Sequence, residues 1–186
     1  MKRERVLTLV IATFILSNYD IATLNAIFRL IAPVQFTALT MDFYLASKFS
    51  QKFGFGLLMA RNMGRNYTLI FLIPYTLMTA VFAEPLIEFL YQDRSEKSAF
   101  YLRLLMVAAL IQTGFGSNGM LLNMKNQEFK VLYGTLARII SNFIILFLTY
   151  HQGLASFFLA FLFSVMIQET YYWYQVLILT NAVDEA

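Results

Sequence analysis

The chain contains no cysteine, one histidine and three prolines. Without cysteine there is no disulfide framework, no thiolate metal site and no cysteine nucleophile. The lone His151 leaves no material for a multi-histidine metal centre, and no serine–histidine–carboxylate set can be built around it. No metal, no cofactor and no catalytic residue is expected. Charge is equally scarce. Asp, Glu, Lys and Arg make up 13% of residues, against about 25% in an ordinary soluble domain. A chain so poor in charge is not disordered, and it cannot coat a globular surface with polar groups.

What fills the sequence is apolar. Of 186 residues, 59% are hydrophobic and 17% aromatic, with a mean hydropathy of +0.63. These values point to lipid as the solvent. The formal net charge of +3 then serves to fix topology rather than to attract nucleic acid. The expected fold class is all-α integral membrane, a single bundle of about five transmembrane helices plus one amphipathic cytoplasmic helix.

A helical crossing takes about 20 apolar residues. On that ruler the spans cover residues 6–31, 67–91, 99–122, 131–150 and 154–179. The connector 33–65 reads differently. Phe36, Leu39, Phe43, Ala46, Phe49, Phe53 and Leu57 recur at spacings of three and four, with Lys48 and Lys52 beside the stripe. Such a helix lies along a membrane surface or packs on protein.

Lys48, Lys52, Arg61 and Arg65 precede the second span, and Lys125 and Lys130 follow the third. Both groups fall on one side if the spans alternate, and the positive-inside rule makes that side cytoplasmic. Lys2, Arg3 and Arg5 disagree with five spans. Upstream helices that set the orientation, a sixth span over residues 30–47, or a signal peptide would each account for them.

The text around the third span carries a resemblance. Phe82-Ala83-Glu84-Pro85-Leu86 precedes Tyr101-Leu102-Arg103-Leu104-Leu105, and Gly114 to Gly119 then leads into Leu121-Leu122-Asn123. With Ala32-Pro33 ahead of a basic stretch, this order resembles the polysaccharide-biosynthesis branch of the multidrug/oligosaccharidyl-lipid/polysaccharide flippase superfamily. Lys125-Asn126 stands where that family commonly has a glycine. The resemblance implies a two-halved transporter, of which this chain is most of the carboxy-terminal half, with Met1 an internal methionine. It further implies a multi-pass protein of the bacterial cytoplasmic membrane. The implied partners are membrane lipid, a lipid-linked sugar substrate and the missing amino-terminal half, with no nucleic acid. A cation-coupled multidrug exporter of the same superfamily and a non-transporting scaffold subunit are the alternatives.

Gly114-Phe115-Gly116-Ser117-Asn118-Gly119 matches a dinucleotide fingerprint literally, but no strand precedes it, so close helix approach or bending is the better account. Ionisable and amide groups inside spans mark the candidate transport path, because a charge at mid-bilayer costs roughly 2.5–3.5 kcal/mol unless it faces a cavity or a partner. On the first span these are Asn18, Asp20, Asn25 and Arg29. Asp20 is expected deep in the bilayer, because 14 residues separate it from Val6, roughly 21 Å of helix. Arg138 and Asn142, four apart, share a face of the fourth span. With Arg29, and Arg103 on the third span, they are candidates for binding a lipid pyrophosphate through paired guanidinium donors. Glu169 stands beside Tyr171-Tyr172-Trp173-Tyr174, which reads as an aromatic belt at the interface.

Overall fold

The computed structural model describes residues 16–51, 55–91 and 96–184, and every regular element among them is helical. The elements are α1 (Asn18–Gln51), α2 (Phe55–Val81), α3 (Ala83–Tyr91), α4 (Glu96–Phe115), α5 (Asn118–Met124), α6 (Glu128–Thr149), a 3-10 turn (Tyr150–Gln152) and α7 (Leu154–Asp184). Four stretches are long and apolar enough to cross a membrane: Asn18–Ala46, Lys97–Met124, Glu128–Gln152 and Leu154–Asn181. The bent pair α2–α3 makes up to five. Lys2, Arg3, Arg5, residues 6–15 of the first expected span, Lys52, Phe53 and residues 92–95 lie outside the described residues.

The connector expected over 33–65 is not a separate helix. α1 runs through Pro33 to Gln51, and residues 55–65 open α2. Pro33 removes one backbone donor, yet flanking helical bonds and neighbouring side chains hold the helix together. Among them, Tyr75 on α2 donates its hydroxyl to the Leu30 carbonyl at 2.9 Å. Leu57 of the expected stripe is buried in α2, but Phe36, Leu39 and Phe43 on α1 turn outward, opposite to a soluble amphipathic helix. Phe36 is 72% exposed and Phe43 is exposed too, whereas Gln35 and Asp42 are partly buried. An apolar exterior around polar interior positions inverts the soluble pattern.

The second expected span is broken. α2 and α3 meet at 74° around Phe82. Pro85 explains the site of the break: it has no N–H to offer the Val81 carbonyl, so α2 ends there. Pro85 then falls in the first turn of α3, where a donor is not needed. Pro74 lies inside α2.

Two buried clusters hold the bundle. The larger joins Leu24, Ile27 and Ile31 of α1 to Leu72, Ile87, Leu102, Leu105 and Met106, and to Phe157 and Phe158 of α7. Tyr101 stacks on Phe158 with centroids 4.8 Å apart. The smaller gathers Leu45, Leu57, Ala60, Leu121, Leu122, Tyr172 and Val176. The exterior stays greasy, with Phe71, Met78, Phe129 and Phe147 among the exposed side chains.

Candidate functional site

A cavity of about 270 Å³ opens where the two clusters meet. α1 presents Ile31, Gln35, Ala38 and Asp42, whose spacings of four, three and four put them on one helix face. α7 presents Phe161, Gln168, Glu169 and Tyr172 from the opposite wall. Gln112 and Thr113 come from α4, Arg65 and Thr68 from α2, and Arg138 from α6.

The floor is a helix break. α4 stops at Phe115 and α5 starts at Asn118. Gly116 between them has φ +80°, a left-handed conformation that costs little only for glycine. A break inside an apolar segment exposes carbonyls that need donors. The Phe115 carbonyl receives two, from Arg61 Nη2 and Asn118 Nδ2, each at 2.9 Å. The glycine-rich stretch is therefore a helix break, which agrees with bending rather than with a nucleotide cradle.

A hydrogen-bonded chain lines one side. Arg138 Nη1 donates to Gln168 Oε1 at 3.0 Å, and Gln168 Nε2 donates to the Tyr172 hydroxyl at 2.9 Å. That hydroxyl donates to the Val131 carbonyl at 2.9 Å and lies 3.1 Å from Thr135 Oγ1. The Arg138 guanidinium also sits 5.3 Å from the Phe161 ring centroid, a cation–π arrangement. On the other walls the Gln112 side chain lies close to Glu169, and that of Ser117 close to Asp42. Three acceptor oxygens at this cavity have no hydrogen-bond partner: Gln35 Oε1, Asn118 Oδ1 and Glu169 Oε2.

Of the residues singled out in the sequence, Arg138 lines this cavity. Asn142 is one turn further along α6 and bonds Ser164 Oγ at 3.4 Å. Arg103 is engaged elsewhere, donating to the Ala80 carbonyl at 3.1 Å and to Glu84 Oε1 at 2.9 Å. It braces the α2–α3 bend. Asn18, Asp20, Asn25 and Arg29 occupy the first third of α1 and do not line the cavity. Asp20, expected at depth, falls in the first turn of α1. There Ser17 Oγ accepts from the Asp20 N–H at 3.2 Å and donates to its carboxylate at 2.7 Å. This is the reciprocal bonding of a helix start, and a carboxylate there also suits the helix dipole.

Glu169 corrects the aromatic-belt reading. It is 6% exposed, and α7 continues well past it to Asp184. Tyr172 is buried inside the bundle while Trp173 and Tyr174 point outward, so the aromatic run is split by helix geometry. Depth was a readable signal: Glu169 is 15 residues from the start of α7, roughly 22 Å along it. Gln35, Asp42, Gln112 and Asn118 had no such signal, because their faces are set by how α1, α4 and α5 pack.

No family model, curated protein or solved structure matches the chain. Among the described residues no three histidine, aspartate or glutamate side chains converge as a metal site would require.

Proposed function

We propose that this chain is a multi-pass protein of the bacterial cytoplasmic membrane and part of a flippase that moves a lipid-linked oligosaccharide or polysaccharide precursor by alternating access. The observation that carries the reading is a polar cavity inside a bundle whose outer face is apolar. Soluble proteins keep large apolar patches rare and polar residues outside. Here Phe36, Phe71, Phe129 and Phe147 face out while Gln112, Arg138, Gln168 and Glu169 line the interior. Lipid outside and a hydrated cargo inside account for both halves of that pattern. A polar cavity lowers the cost of taking sugar and phosphate groups across hydrocarbon, while the lipid tail stays in the bilayer. Broken helices such as α4–α5 and α2–α3 are the usual builders of membrane substrate sites.

A cation-coupled exporter is the second reading, favoured by the buried Glu169 carboxylate. Chromosomal deletion in the native host separates the two. Loss of surface polysaccharide, with lipid-linked precursor held in the inner leaflet and unchanged drug tolerance, is the expected result. Intact surface polysaccharide with raised drug sensitivity favours the exporter.

A further inference from the structure

The three unpartnered oxygens in the cavity share one chemical property. Gln35 Oε1, Asn118 Oδ1 and Glu169 Oε2 are acceptors, each buried and each without a donor. A buried acceptor left unpaired is costly, and three at one cavity mark what the cavity is made to receive. Asn118 is 0% exposed and Glu169 6%, so neither turns outward to bulk water. Of the donors around it, Arg61 Nε beside Gly116 is buried without a partner, and two others are committed. Arg138 is held by Gln168 and lies over Phe161, and the Asn118 amide group is bonded to the Phe115 carbonyl. A phosphate or pyrophosphate brings more acceptors and would leave the three oxygens unsatisfied.

Size limits the occupant as well. At about 270 Å³ the cavity is at the small end for a ligand site, where about 300–1,000 Å³ is usual. It admits one ring-sized polar unit and not an oligosaccharide. Formal charge does not demand a cation, because Asp42 and Glu169 are balanced by Arg65 and Arg138 around the same space.

We propose that this cavity is a subsite for one uncharged, hydroxyl-rich sugar unit, whose O–H groups donate to Gln35, Asn118 and Glu169, while the pyrophosphate of the same cargo is held elsewhere. The inference rests on the flippase reading. It reassigns Arg138 from a pyrophosphate ligand to a side chain that positions Gln168, which in turn bonds Tyr172.

The absence of cysteine supplies a clean test. Ala38 lines the cavity, and Ala38→Cys in membrane vesicles is modified by a small methanethiosulfonate reagent. The modification rate is measured with methyl glycosides of common hexoses and N-acetylhexosamines, with choline and glucosamine, with sodium chloride, and with inorganic pyrophosphate. The expected result is slowing by at least one neutral glycoside and none by pyrophosphate. That protection should weaken about tenfold in Gln35→Leu, the loss of one or two hydrogen bonds. Glu169→Gln, which keeps an acceptor oxygen, should retain most of it. Protection by choline, glucosamine or sodium alone, abolished in Glu169→Gln, overturns the proposal in favour of a cation site. Protection by pyrophosphate also overturns it. Modification unaffected by every probe means that the oxygens are satisfied by ordered water only, and the proposal fails. Saturation-transfer NMR of the same glycosides on the unsubstituted protein decides the case in which the cysteine variant does not fold, and no transfer there refutes the subsite. Sugar protection without translocation of lipid-linked sugar leaves the subsite standing and removes the flippase reading. Translocation without sugar protection does the reverse.

Discussion

The ring of Tyr172 on α7 packs against the bare backbone of Gly134 on α6, and a methyl group at Gly134 would overlap it. The close approach lets the Tyr172 hydroxyl reach the Val131 carbonyl at 2.9 Å and the Gln168 amide at 2.9 Å. Small residues at membrane helix contacts act in this way. Gly134→Ala should therefore destabilise the bundle by about 1–3 kcal/mol, the usual cost of overpacking. Unfolding in detergent–denaturant titration checks it. Tyr172→Phe keeps the packing and loses the hydroxyl, so it should cost about 1–2 kcal/mol.

Arg103 is expected to matter more for its bond to the α2–α3 bend than for its ion pair. The Arg103–Glu84 pair is well exposed, and exposed pairs contribute about 0–1 kcal/mol. Glu84→Gln should fall within that range. Arg103→Ala also strips the Ala80 carbonyl of its donor and should cost distinctly more. Equal costs for the two variants, measured by the same titration, would show that the bend does not depend on Arg103.

Asp20 should behave as a helix-start residue. Ser17→Ala removes the side-chain acceptor for the Asp20 N–H and should cost about 1 kcal/mol. Asp20→Asn preserves an acceptor for the Ser17 hydroxyl and should leave polysaccharide export at the unsubstituted level. Lowered export at normal membrane abundance would return Asp20 to the transport path.

Legibility of this chain in its sequence followed a simple physical line. The all-helical character and the apolar stretches along α4, α6 and α7 are readable from run length, because hydrocarbon thickness sets a ruler. Pro33 misleads, because proline ends helices in water but is tolerated inside a packed bundle, where here Tyr75 adds a donor at the adjoining Leu30 carbonyl. The stripe of Phe36, Leu39 and Phe43 misleads for a related reason: periodicity identifies a face without saying whether it turns toward protein or lipid. Arg138 is readable as a charge within an apolar run. The aromatic neighbours of Glu169 resemble an interface belt in sequence, yet Tyr172 turns inward with it. Asn118 and Gln35 become site residues only through the break at Gly116 and the packing of α1 on α4 and α5.

The orientation of α6 is testable at its two ends. α6 has 22 residues, about 33 Å of helix, enough to cross a hydrocarbon core of about 30 Å. Single cysteines at Glu128 and Gln152 should react with an impermeant thiol reagent from opposite sides. By the positive-inside rule, Lys125 and Lys130 predict that the Glu128 end labels from the cytoplasmic side. Labelling of both from one side would refute a membrane-spanning α6.

The central claim is that transport requires a sugar unit of the cargo to occupy the cavity between α1 and α7, and occlusion tests it most directly. Ala38 faces that cavity, while Phe36 on the same helix is 72% exposed. Tryptophan is introduced at each position in the chromosomal copy, and surface polysaccharide is measured against membrane abundance of the protein. Ala38→Trp should abolish export while Phe36→Trp leaves it intact, both at normal abundance. Normal export by Ala38→Trp would contradict the account.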